Sequence, residues 1–232
     1  MTSKISPAVG ALSAVACAAS LLAVAVTPAS AVTAVATVSP ASIGAFSASP
    51  ETRAGTVNAV VSNTKDSGAG SLRAAVAAAN KRSKSTTTNI TFTTTGTIVL
   101  KSNFPPIMRK VIIDGTAIPG HVAGSAPLVG VNANGHRAFR FDPGSGGSQL
   151  LGLSITEASG NGVTLPAGRI TVNYNYIGLT TAGQSRGDAG YSGAGNRGDG
   201  IYVERSSKGN KIGVNPTLEV GAVGNVISNN RG

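Results

Sequence analysis

From Thr56 onward, apolar and polar residues alternate in short runs, each closed by Gly, Pro or Asp-Gly. Val57, Val60 and Val61 suggest a first strand, and Ile90-Thr91-Phe92, Thr97–Leu100 and Val111–Ile113 are further β-branched runs. Alternation with a period of two over such lengths predicts half-buried strands. One segment breaks the pattern. Ser71 precedes Leu72, Val76 and the alanines between them, which share one smooth helical face running to Asn80. The Ser71 hydroxyl is a good N-cap because it can accept an otherwise orphaned amide of the first turn. A single short helix among strands suits the end of a stack, where it covers edges that would otherwise recruit another chain.

The later strands repeat. Phe139-Arg140-Phe141 aligns with Val163-Thr164-Leu165 at an offset of 24, and Leu153 and Ile155 align with Asn175 and Ile177 at an offset of 22. A further pass follows, with Gly162–Leu165 matching Gly200–Val203, Ile170–Val172 matching Asn210–Ile212, and Asn175–Ile177 matching Asn225–Ile227. Its extra length falls in two Gly-rich polar stretches, Leu179–Arg197 and Val214–Gly224. Recurring strands with insertions confined to turns predict an all-β solenoid with a short N-terminal capping helix. Alternation then points Val163, Leu165, Ile201 and Val203 inward, with Asn175 and Asn225 forming an internal amide ladder at a bend. Three outward stacks follow: Arg140, Thr164 and Tyr202 on one sheet, Thr171 and Lys211 on another, and Tyr176 and Val226 on the third.

Composition agrees with many strands and tight turns. The 232 residues include 31 Gly and no Trp, with 12% charged and 4% aromatic residues. That argues against a helical bundle. The N-terminus carries an address: Lys4, then the uncharged run Ala8–Val26, then Ala29-Ser30-Ala31, the small-x-small pattern of a signal cleaved after Ala31. An uncleaved anchor and a lipidated Cys17 are the rival readings. Residues 1–31 are thus read as signal peptide, 32–55 as a flexible lead-in, and 56–232 as the folded domain of a secreted or cell-surface protein with no membrane span after cleavage. Cys17 is the one cysteine, so no disulfide is expected after cleavage. Of 19 basic residues only Lys4 leaves with the signal, so 18 face 9 acidic ones. That balance favours polyanions such as acidic polysaccharide or a cell-surface polymer, without specifying nucleic acid. Dispersed charge that keeps the chain soluble is the plainer alternative.

The run Asn63-Thr-Lys-Asp-Ser-Gly-Ala-Gly-Ser-Leu-Arg-Ala-Ala-Val76 resembles the N-terminal cap of exported right-handed β-helix proteins of the pectate-lyase-like superfamily. Asn175–Gly178, Gly198–Ile201 and Gly224–Asn230 are similar to that group's coil consensus. The resemblance covers roughly Thr56 to Gly232 and implies export and a right-handed parallel β-helix fold. It leaves activity open, because members include polysaccharide lyases, hydrolases and adhesin-like proteins. The consensus would continue past Asn229–Gly232 into another strand, so a fragment is expected, or else an end that pairs with another chain.

No catalytic constellation stands out. A lyase of this group would need stacked carboxylates around Ca²⁺ with an Arg or Lys base. The acids available in the aligned passes are Asp142, Asp188, Asp199 and Glu204, and Asp142 and Asp199 flank their strands on opposite ends. Hydrolysis would need a carboxyl pair. No Asp-Asp or Asn-Thr-Asp occurs, and His121 and His136 read as loop residues rather than a metal pair. Arg186-Gly-Asp188 and Arg197-Gly-Asp199 read as chance matches to a receptor tripeptide. The expected function is therefore a binding or surface module without cofactor, with Tyr176, Tyr202 and Lys211 as ligand contacts. A fragment of a Ca²⁺-dependent lyase or a glycoside hydrolase is the alternative. If the export reading holds, N-terminal sequencing of chain secreted by an exporting host starts at Val32, and recovery of the product with residues 1–31 attached contradicts it.

Overall fold

The computed structural model describes residues 55–185, 194–213 and 224–232. The stretches read above as signal peptide and lead-in (to residue 54), the first Arg-Gly-Asp and parts of both turn insertions lie outside them. Nearly all the regular structure is parallel β-sheet. One sheet holds, in spatial order, β1 (Thr56–Val61), β2 (Thr87–Phe92), β4 (Val111–Asp114), β7 (Gln149–Leu151), β10 (Thr171–Asn173) and β13 (Lys211–Ile212). A second holds β14 (Val226–Ile227), β11 (Tyr176–Ile177), β8 (Leu153–Thr156), β5 (Val129–Asn132) and β3 (Gly96–Val99). The third holds β12 (Ile201–Val203), β9 (Val163–Leu165) and β6 (Phe139–Arg140). From β2 onward the chain visits the sheets in a constant cyclic order. On the first pass the lone bridge from Ile107 to Phe141 takes the third place.

The register is the one the repeats predict. Val163 pairs with Phe139 and Ile201, Thr171 with Lys211, Ile155 with Ile177, and Tyr176 with Val226. Apolar side chains therefore stack in rows. Ala59, Ile90, Ile113, Leu150, Val172 and Ile212 form one row, and Ile98, Val131, Ile155, Ile177 and Ile227 another. Interior members such as Ile90, Ile113, Leu150 and Ile155 are fully buried. Each contributes roughly 2 kcal/mol of transfer free energy. The expectation for Val203 needs correction: it continues the Leu165 row but is 40% exposed. It sits on β12, the outermost strand of its sheet, so only one neighbour covers it; Ile212 and Ile227 are half-exposed for the same reason.

At the first bends of the chain, the polar cap motif closes on itself. α1 (Leu72–Asn80) begins at Ser71, whose Oγ accepts the Ala74 amide at 3.2 Å, and it buries Leu72, Val76 and Ala79 against β1 and β2. Gly70, at φ 74°, occupies a left-handed conformation and accepts the Ser62 amide. The Arg73 guanidinium reaches Asp66 at 2.6 Å, the Ser102 and Asn103 carbonyls, and the face of Phe104. One arginine thus ties the cap loop to the next pass of chain.

Further along, amides stack at two bends. Asn175 is fully buried; its Oδ1 accepts the Leu153 amide at 3.0 Å, and its Nδ2 donates to the Leu150 and Asn173 carbonyls and to Asn225 Oδ1. The sequence predicts this ladder. A second, Asn196 on Asn230, repeats the geometry: Asn196 Oδ1 accepts the Ala158 amide at 2.9 Å and its Nδ2 donates to Asn230 Oδ1 at 2.7 Å. Asn175→Ala should cost about 3 kcal/mol, because it leaves buried backbone groups unpaired, and half-buried Asn225→Ala about 1 kcal/mol. Urea denaturation measures both; equal costs at the two positions would contradict the ladder.

Candidate functional site

The three residues proposed from sequence as ligand contacts lie on three different sheets. Tyr176 belongs to the row Thr97–Gly130–Ser154–Tyr176–Val226, Tyr202 to the row Arg140–Thr164–Tyr202, and Lys211 to the row Ile112–Gln149–Thr171–Lys211. No single site gathers them. The Tyr176 side chain is half-buried in a narrow crevice with His121, Ser125, Tyr174 and Gly224, so it is a partly covered ring rather than an open platform. Tyr202 is 44% exposed and Lys211 is exposed, each on an outermost strand.

The acids are placed differently from the sequence reading. Asp142 and Glu204 lie at the ends of β6 and β12, two passes apart, and Arg140 draws both onto its guanidinium. Its Nε meets Asp142 at 2.6 Å and its Nη1 meets Glu204 at 3.3 Å. Sequence comparison set Asp142 only against Asp199, with which it does not stack, and so missed this triad, since Glu204 is 64 residues from Arg140. Asp199 instead packs over Asn161, which accepts its amide at 2.9 Å, and Asp188 is outside the described residues. Both carboxylates are held on one guanidinium, which offsets one of their two negative charges and fixes them as structure rather than presenting them as a paired site. No group of three or more His, Cys, Asp or Glu gathers among the described residues, and none of their helices is long and apolar enough to cross a membrane.

The outer face of the second sheet carries a better-formed cavity. Ser154 and Thr156 alternate with inward Leu153 and Ile155, so they point outward, yet they are only 2% and 4% exposed. The start of the first turn insertion covers them. Ser154 Oγ donates to the Leu179 carbonyl at 2.7 Å, and Gly183 and Gln184 close a tight turn on Thr180. Between this turn and the sheet lies a cavity of about 200 Å³, walled by Thr97, Asn132, Thr156, Thr181 and Gln184. Gly130 sits beside Thr97 and Thr181, where an added side chain would press on both. Hydroxyl and amide side chains both donate and accept hydrogen bonds, which suits a polyhydroxylated ligand. Two signals pointed there: the insertion at Leu179 and the period-two polar positions of β8. The contributing strand β5 went unrecognised, because Gly130 interrupts its apolar run.

Compared with protein-family models, curated proteins and solved structures, the chain matches none of them. The outer faces can therefore be judged only by their own chemistry. Because the Arg140 triad is a third exposed, Arg140→Gln should change stability by less than about 1 kcal/mol. Thermal unfolding tests this, and a loss of several kcal/mol would show that the triad holds the sheet together.

Proposed function

We infer that the chain is an exported right-handed parallel β-helix that binds polysaccharide outside the cell or at its surface. The cyclic order of three parallel sheets supports the helix. The Asn63–Val76 motif, with its internal Asp66–Arg73 bond, supports membership of the pectate-lyase-like superfamily. The observation that carries the binding reading is the hydroxyl-lined cavity under the Thr180–Gln184 turn. Its walls come from three strands and one turn, so the protein presents it without rearrangement, and preorganisation spares the ligand the cost of ordering the receptor. A cavity of this size takes one sugar unit of a longer chain, and the flat strands beside it leave room for the neighbours.

Thr97 and Thr156 wall the cavity. Thr97→Val with Thr156→Val removes two hydroxyls while keeping shape. At about 1 kcal/mol for each lost hydrogen bond, affinity should fall roughly tenfold or more. Titration calorimetry of the full chain against soluble xylan, glucan and polygalacturonate measures this. Unchanged affinity in the double variant removes the cavity from the reading, and failure of the unaltered chain to bind any of the three removes the reading itself.

A further inference from the structure

A second receptor lies at the corner where the chain leaves the third sheet and enters the first. The turns preceding β2, β4, β7, β10 and β13 stack there one on another. They bring together Lys84, Lys110, Arg169 and Lys208, which are 124 residues apart at the extremes. Backbone bonds fix the stack: the Gly147 amide donates to the Arg169 carbonyl, and the Arg169 amide donates to the Lys208 carbonyl, each at 2.9 Å. Ser207 Oγ donates to the Ala167 carbonyl at 2.7 Å, and Asn210 Oδ1 accepts the Ile170 amide at 2.8 Å. At Gly168 any side chain would collide with the Lys208 carbonyl, so the turns can approach this closely only with glycine there.

The result is an open groove of about 730 Å³. Gly144 and Gly146 form part of its floor, Pro143 exposes an aliphatic ring on its flank, and Lys84, Arg169 and Lys208 line it as exposed cations. Lys110 lies at its margin, against Gly147. Among the described residues none of these four cations has an ion-pair partner. The nearby acids Asp142 and Glu204 are both occupied by Arg140. With strands about 4.8 Å apart, four steps from the β2 turn to the β13 turn make a line of charge roughly 19 Å long.

We propose that this corner groove binds an acidic polysaccharide running along the stack, its carboxylate or sulfate groups meeting Lys84, Lys110, Arg169 and Lys208. The proposal rests on the polysaccharide-binding reading and names the ligand class. A concave row of cations set on stacked backbone turns concentrates a polyanion, and the exposed Pro143 ring offers an apolar surface to a sugar. Single-stranded nucleic acid is the other polyanion to consider. It is bound by basic grooves that carry aromatic rings for base stacking, and among the described residues no aromatic side chain lines this groove.

The test compares binding of polygalacturonate by the full chain, by Lys84→Gln/Arg169→Gln/Lys208→Gln, and by Lys65→Gln/Lys81→Gln/Lys101→Gln, which removes equal charge elsewhere. The unaltered chain should bind more weakly at 200 mM than at 50 mM NaCl. The groove variant should lose at least tenfold in affinity, while the control variant stays within twofold, and Lys84→Arg/Lys208→Arg should retain binding. Equal loss in groove and control variants, or no loss in the groove variant, overturns the groove while leaving polysaccharide binding intact. Binding of oligothymidylate more tightly than polygalacturonate, and abolished by the groove variant, overturns the ligand class. If the unaltered chain binds neither acidic nor neutral polysaccharide, the broader reading falls with it.

Discussion

A strand in a parallel sheet leaves its hydrogen bonds to the strands beside it, and the bends between sheets leave amides and carbonyls that no strand can satisfy. In this protein the bends are where the architecture is decided. Asn175 and Asn196 each give an oxygen to a buried amide of one pass and a nitrogen to carbonyls and to the asparagine of the next. Leaving such a backbone group buried and unpaired would cost about 1–3 kcal/mol, as much as burying one apolar side chain of the neighbouring row returns. Once the amides lock the bends at one height, the register of each sheet is fixed. The rows from Ile90 to Val172 and from Ile98 to Ile177 then close without slippage.

The same constraint separates faces from corners. On the faces, alternation allows every second side chain to be polar without disturbing the interior, and Thr97, Ser154 and Thr156 use that freedom. At the corners, stacked turns place side chains from distant parts of the chain in line at the spacing of the strands. Arg169 and Lys208 come together by this route, as do Arg140, Asp142 and Glu204. Insertions grow outward from turns, and the Thr180–Gln184 segment shows how one of them can roof a face and enclose a cavity.

What could be read from the residues follows from this division. The pairings of Val163 with Ile201, Thr171 with Lys211 and Tyr176 with Val226 were legible because Gly and Asn punctuate those strands alike. Ser71 was legible as a cap because its role is local. β5 was not: Gly130 sits at its centre, and a long turn containing His121 separates it from β4. Asn196 and Asn230 were hidden by the insertion between them and the earlier passes. The exposure of Val203 depends on which strand lies outermost, which the alternation of a single strand does not encode. The Asp142–Glu204 link and the cationic corner depend on register across three or more passes, so neither exists as a pattern along the chain.

Register is therefore the quantity to measure. Thr164 and Tyr202 are opposite one another on adjacent parallel strands, at a separation a disulfide can span, whereas Val203 points to the other side of its strand. Thr164→Cys with Tyr202→Cys should oxidise to an intramolecular disulfide under mild conditions, and Thr164→Cys with Val203→Cys should remain reduced. Equal cross-linking of both pairs, or cross-linking of the second alone, would contradict the stacked register on which the rows, the ladders and the groove all rest.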